Sequence, residues 1–222
     1  MTAASIAALS AVEARVLGVL AEKQRTVPDS YPLTLNALVS GCNQKTSREP
    51  IMEMSDAQAQ EALDSLRGMS LIIESSGGRV PRYEHNIERV LQIPSQSAAL
   101  LAVLMLRGPQ TAGELRINCD RLHKFTDISS VEAFLRELAE RPAGALVVEL
   151  PRQPGSRENR WAHLLCGAPA AEPHAAAAAP RGNEGGELDA LRSRVEALEA
   201  SVAELRALVD EQTGSGSHFS RR

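Results

Sequence analysis

Aromatic residues are scarce: the 222-residue chain holds two Tyr, three Phe and one Trp, 3% in all. A large all-β sandwich needs bulky, β-favouring side chains, so its core must instead be built from Leu, Val, Ile and Ala, which suits small helix-rich domains. No apolar run reaches the ~20 residues that cross a bilayer. The opening stretch MTAASIAALS has no basic flank of the kind that begins a secretory signal, so the expected location is the cytoplasm. Cysteine is also sparse. Cys42, Cys119 and Cys166 are odd in number and scattered, which argues against a disulfide framework and for reduced thiols. Also missing are Gly-x-Ser-x-Gly, a phosphate-cradling glycine loop and His-Glu-x-x-His, so the expectation is a non-enzyme without cofactors.

Neither sign of charge dominates. The formal net charge is −4, divided as −2 over residues 1–92, +1 over 93–166 and −3 over 167–222. A protein held to DNA mainly by long-range attraction would show a strong basic excess, and no segment has one.

What is present is a repeat. RYEH at 82–85 is echoed by RWAH at 160–163, and the segments before them align as well. ARVLGVLAEK (14–23) lies over ALLAVLMLRG (99–108), each an apolar first helix. TLNAL (34–38) lies over TAGEL (111–115), with Thr34 and Thr111 as caps of a second helix. AQEALDSL (59–66) lies over VEAFLREL (131–138) at helical spacing, after the cap signals Ser55-Asp56 and Asp127 with Ser129. A short aliphatic strand follows in both copies, LIIES (71–75) and ALVVEL (145–150), then a turn rich in Gly, Pro and Arg, then the echoed strand. Three helices and a β-hairpin is the order of a winged helix-turn-helix domain. Residues on a strand alternate, so Tyr83 with His85, and Trp161 with His163, are expected to pack under the hairpin while Arg82 and Arg160 point away.

The predicted fold class is therefore α+β, mainly helical, with two tandem winged helix-turn-helix domains at 8–92 and 93–166. A flexible linker rich in Ala, Pro and Gly follows at 167–186. From 187 to 212 the apolar residues Leu188, Leu191, Val195, Leu198, Val202, Leu205 and Val209 recur in steps of three and four, a heptad seam. Val at most a positions with Leu at d favours a parallel two-stranded coil, and Glu187 facing Arg192, and Arg194 facing Glu199, would make attractive flanking pairs. The seam predicts a homodimer; a single amphipathic helix folded onto its own domain is the alternative. Residues 213–222 are expected to be a disordered tail.

The strings LSAVEARVLGVLAEKQ (9–24), YPLTLNALVSGCNQKTSREP (31–50), LRGPQTAGELR (106–116), PGSRENRWAHLL (154–165) and RVEALEASVAELR (194–206) resemble the YceH-like family of bacterial tandem winged-helix proteins. The resemblance spans almost the whole chain. It implies two winged-helix domains and a C-terminal helix, and it brings no established activity with it.

Candidate binding residues come from the loops. NQKTSREP (43–50) joins the second and third helices, and Asn43, Gln44, Lys45 and Arg48 there either bond to nearby backbone or offer donors to a phosphate or carboxylate partner. The equivalent turn RLHKF (121–125) supplies Arg121 and Lys124. The hairpins add Arg79, Arg82, Arg157 and Arg160. The third helices, which enter the major groove in winged-helix readers, are acidic instead: Asp56, Glu61 and Asp64 in one, Glu132, Glu137 and Glu140 in the other. Gln58 and Gln60 are the groups there able to bond bases. The expected partner is double-stranded DNA, held through turn and hairpin arginines on its phosphates, in a DNA-associated or transcription-regulatory role. The alternative is a non-catalytic protein-interaction adaptor with a protein partner, which acidic third helices and near-neutral charge equally predict. Cys119-x-x-x-His123 and His163-x-x-Cys166 lack the tight Cys-x-x-Cys spacing of structural zinc, so no metal is expected.

Overall fold

The computed structural model describes residues 8–169 except 79, 153 and 154. The linker from residue 170 onward, the heptad seam with Leu188, Leu191, Val195, Leu198, Val202, Leu205 and Val209, the tail and Arg79 lie outside the described residues. Helix α1 (Ala11–Thr26) is followed by a 3-10 turn (Pro28–Ser30), α2 (Leu35–Cys42), α3 (Asp56–Gly68) and an antiparallel hairpin of β1 (Ile72–Ser75) and β2 (Arg82–His85). After a short α4 (Ile87–Leu91) the order repeats: α5 (Ser95–Arg107), α6 (Ala112–Asn118), α7 (Ile128–Ala139) and a hairpin of β3 (Val147–Leu150) and β4 (Arg160–His163). The chain is thus α+β, with two small two-stranded sheets.

The helix starts are set locally. Thr34 and Thr111 cap α2 and α6, and Ser55 and Asp127 cap α3 and α7, each side chain accepting from the backbone N–H three residues on. In α7 the reciprocal partner is Ser130, whose position allows its side chain to face the cap, while Ser129 plays no part in it. The short α4 has no counterpart in the sequence reading; five residues carry too little periodicity to reveal it.

Each hairpin is tied to its own helices by a bridge. Leu33 and Tyr83 exchange both backbone hydrogen bonds, at 3.0 and 2.8 Å. Gln110 and Trp161 do the same at 3.1 and 2.7 Å. Both bridges lie just before the second helix of a repeat, so the return strand is held on one edge by its hairpin partner and on the other by this bridge. In β2, Tyr83 and His85 are buried and Arg82 exposed, the expected alternation. In β4 Trp161 is buried and His163 partly so, but Ala162 is buried as well because this strand packs on α5.

The two repeats share one interior. Residues 14–21 of α1 and 97–106 of α5 are buried without interruption, since each central helix is covered on several sides. The two helices meet at Gly18, where a Cβ would stand 3.0 Å from Leu106 Cγ and 3.2 Å from Met105 Cβ. Further ties cross between the repeats. The Glu49 N–H donates to the Leu106 carbonyl at 2.8 Å, the Leu9 N–H to the Leu165 carbonyl at 2.7 Å, and Arg141 to the Leu91 carbonyl.

Candidate nucleic-acid or ligand interface

The 43–50 turn is built from below by two buried arginines. Arg48 has its side chain wholly covered; Nε donates to the Gly41 carbonyl at 3.1 Å and Nη1 to the Ser47 carbonyl at 2.8 Å. The same guanidinium spans both oxygens of Glu22, at 3.1 and 2.6 Å, and also donates to Gln44 Oε1 at 2.8 Å. Burial opposes ionisation of Glu22, but the hydrogen bonds and charge of Arg48, helped by Lys23, outweigh it and hold the carboxyl below its ordinary range. Arg15, 1% exposed, donates to the carbonyls of Cys42 (3.1 Å) and Pro50 (2.5 Å). Its burial and the neighbouring Arg48 charge both push its pKa down. Nothing in the sequence marked Arg15, which stands within an apolar helix; its neighbours on three sides become visible only in three dimensions.

For most of these residues the bonds follow the first of the two expectations, engagement within the protein itself. Arg48 is not an open donor for a partner, because its donors are already met inside the protein. Asn43 is likewise engaged, donating to the Met54 carbonyl at 2.8 Å and accepting from the Met54 N–H at 2.7 Å. Gln44 serves Arg48. Of the four turn residues only Lys45 is exposed, with a loose 3.9 Å approach to Glu53.

One acidic residue in each of the acidic helices is also engaged internally. In α3, Arg67 pairs with Asp64 at 2.9 Å and with Glu74, Gln58 completes the capping box, and Gln60 donates to Asp64 at 3.2 Å. In α7, Arg136 pairs with Glu132 at 3.1 Å. Neither helix presents an unpaired arginine.

The remaining cations behave differently. Arg121, Lys124 and Arg157 are exposed and have no carboxylate partner among the described residues. Arg160 lies 3.9 Å from Glu114. Arg82 is exposed and donates to the Ser30 carbonyl at the end of the 3-10 turn at 3.4 Å and to the Pro32 carbonyl just beyond it at 2.7 Å. The free positive charge thus belongs mainly to the second repeat, at the turn after α6 and at the tip of the second hairpin.

Buried titratable groups elsewhere are held neutral. Burial pushes the Cys42 and Cys119 thiols up to about 12, so neither offers a thiolate near neutral pH. It pushes His85 and His163 down to about 4, with Arg25 adding to the effect at His85. His85 Nε2 meets Gln24 Oε1 at 2.8 Å. No cluster of three or more His, Cys, Asp or Glu suited to a metal occurs among the described residues. Nor is any helix there long and apolar enough to cross a membrane.

Residues 9–156 match the family described as a protein of unknown function, DUF480. The chain belongs to that family. It is 62% identical to a UPF0502 protein of Dechloromonas aromatica over 92% of this chain and 96% of the relative. A UPF0502 protein of Delftia acidovorans is 62% identical over 90% and 88%, and one of Cupriavidus necator is 59% identical over 93% and 86%. The family match covers the first hairpin and both turns, and it ends before β4 of the second hairpin.

Proposed function

We propose that this DUF480 protein is a tandem winged-helix protein that binds double-stranded DNA through turn and hairpin cations, as a homodimer joined by the heptad seam at 187–212. The observation that supports it most is the placement of Arg121, Lys124 and Arg157, exposed and without carboxylate partners among the described residues, on two loops of one repeat. Phosphates attract such cations, and releasing counterions drives the contact. The arginines of α3 and α7 are occupied by carboxylates, so the binding is directed to the backbone, salt-sensitive and weakly selective for sequence. Two copies would double the cationic surface and raise the apparent affinity. Titration of mixed-sequence duplex with the full chain at low and moderate salt tests the proposal. Binding that weakens with salt and is lost in Arg121→Ala/Lys124→Ala/Arg157→Ala supports it, and salt-independent or absent binding removes it.

A protein-interaction adaptor is the second reading. It is favoured by two exposed apolar side chains, Ile117 on α6 and Ile128 at the start of acidic α7, 72% and 44% exposed. A stoichiometric protein partner retained after nuclease treatment would select it.

A further inference from the structure

The two equivalent turns of the repeats converge on one cleft at the seam between α1 and α5. Its volume is about 80 Å³ and its floor is apolar, from Val103, Leu106 and Leu122. Around the rim stand Glu22 and Thr26 of α1, Ser47 of the first turn, Arg107 at the end of α5, and Asn118 and Arg121 of the second repeat. Three features of the charge decide what this cleft suits. Arg107 donates to a neutral hydroxyl, Ser47 Oγ, at 2.7 Å, and has no carboxylate among the described residues. Arg121 has none either. The single carboxylate on the rim, Glu22, has both oxygens taken by buried Arg48, with Lys23 at 3.3 Å, so that group as a whole is positive. A partly enclosed cleft therefore carries two guanidiniums without a counter-charge, beside the hydroxyls of Ser47 and Thr26. Ser47 is fixed there: its φ is +61°, an uncommon value for a non-glycine residue, and Arg48 holds its carbonyl.

We propose that this cleft binds the phosphate group of a small phosphorylated metabolite, with Arg107 and Arg121 as the charged donors and the Ser47 hydroxyl as a neutral one. The forked guanidinium matches a tetrahedral oxyanion, and donors to an ionised acceptor make the stronger class of hydrogen bond. The volume equals roughly two to three water molecules at ~30 Å³ each, enough for one phosphate head while the rest of the ligand lies outside. Because the donors come from both repeats, an occupant would bridge them. Arg121 is shared with the proposed DNA surface whereas Arg107 and Ser47 are not, so the Arg107 and Ser47 variants separate this inference from the DNA reading.

The test is calorimetric titration of the full chain with inorganic phosphate and with glycerol 3-phosphate, against chloride at matched ionic strength. Saturable binding is expected for both phosphates and not for chloride. Arg121→Gln, on an exposed position, and Arg107→Gln should each weaken it about tenfold or more, the scale of one lost hydrogen bond to a charged group. Arg136→Gln, whose cation sits on α7, should leave it unchanged. Circular dichroism verifies that each variant is folded, and Ser47→Ala gives an independent, smaller loss. Absence of saturable binding up to about 10 mM phosphate, or equal weakening by Arg136→Gln, overturns the proposal. Duplex DNA added to the phosphate-saturated protein separates the two sources of the group. No displacement supports a small ligand, whereas full competition assigns the phosphate to a nucleic-acid backbone and overturns it.

Discussion

Arg48 grips both carboxylate oxygens of Glu22 across the gap between the first turn and α1, at 2.6 and 3.1 Å, with no part of the arginine side chain in contact with solvent. The pair fixes the 43–50 turn against α1 and neutralises the one carboxylate on the cleft. A buried pair is costly to form, yet far more costly to halve, because the survivor stays charged and desolvated.

Arg48→Ala should therefore destabilise the fold by about 3 kcal/mol or more, well beyond the effect of an exposed arginine. Denaturant melts of Arg48→Ala and Arg136→Ala compare the two directly. Near-equal losses would contradict the burial argument.

Acid should weaken the protein in two stages. His85 and His163 have folded pKa values near 4, below the unfolded ~6.5, so stability is fully present above pH ~6.5 and falls as pH drops toward 4. For His85 alone the loss at pH 5 is about 2 kcal/mol. Glu22 is also depressed on folding, so its contribution is present above the unfolded carboxyl range and disappears at still lower pH. Urea midpoints at pH 7 and pH 5 should differ by less in His85→Gln than in the parent chain.

Close packing at Gly41 gives a third expectation. A Cβ there would lie 2.7 Å from Val19 Cγ1, and Val19 is buried and stiff at χ1. Gly41→Ala should destabilise by roughly 1 kcal/mol net, overpacking of ~1–3 kcal/mol partly offset by a helix-propensity gain of up to ~1. A thermal melt with a raised midpoint would show that Val19 moves aside without strain.

The DNA reading predicts salt slopes as well as affinities. Removing Arg121, Lys124 or Arg157 should each lower the slope of log K against log salt by about one, uniformly across sequences. Arg48→Lys, altering an internal contact, should leave that slope unchanged. Fluorescence anisotropy at several salt concentrations measures both.

Much of the architecture was legible in the chain. The caps at Thr34, Ser55, Thr111 and Asp127, the helical spacing of Leu63 with Leu66 and of Leu135 with Leu138, and the placement of Tyr83 under the first hairpin follow from local chemistry. A cap or a periodic face is determined within one or two turns of chain, so the sequence alone could specify both repeats and their order.

The roles of the polar residues were decided elsewhere. Asn43, Gln44, Lys45 and Arg48 look alike as four donors in a row, but tertiary packing spends Asn43 on Met54 and Arg48 on Glu22, and leaves Lys45 to solvent. Arg15 lies concealed in an apolar helix, and Arg107 meets Ser47 from sixty residues away. Whether a side chain binds a partner or the protein's own carbonyls depends on which groups reach it through space, and chain order does not encode that distance. The sequence determined the two modules; their shared α1–α5 interior, and the cleft formed where their turns meet, arose only when the helices packed.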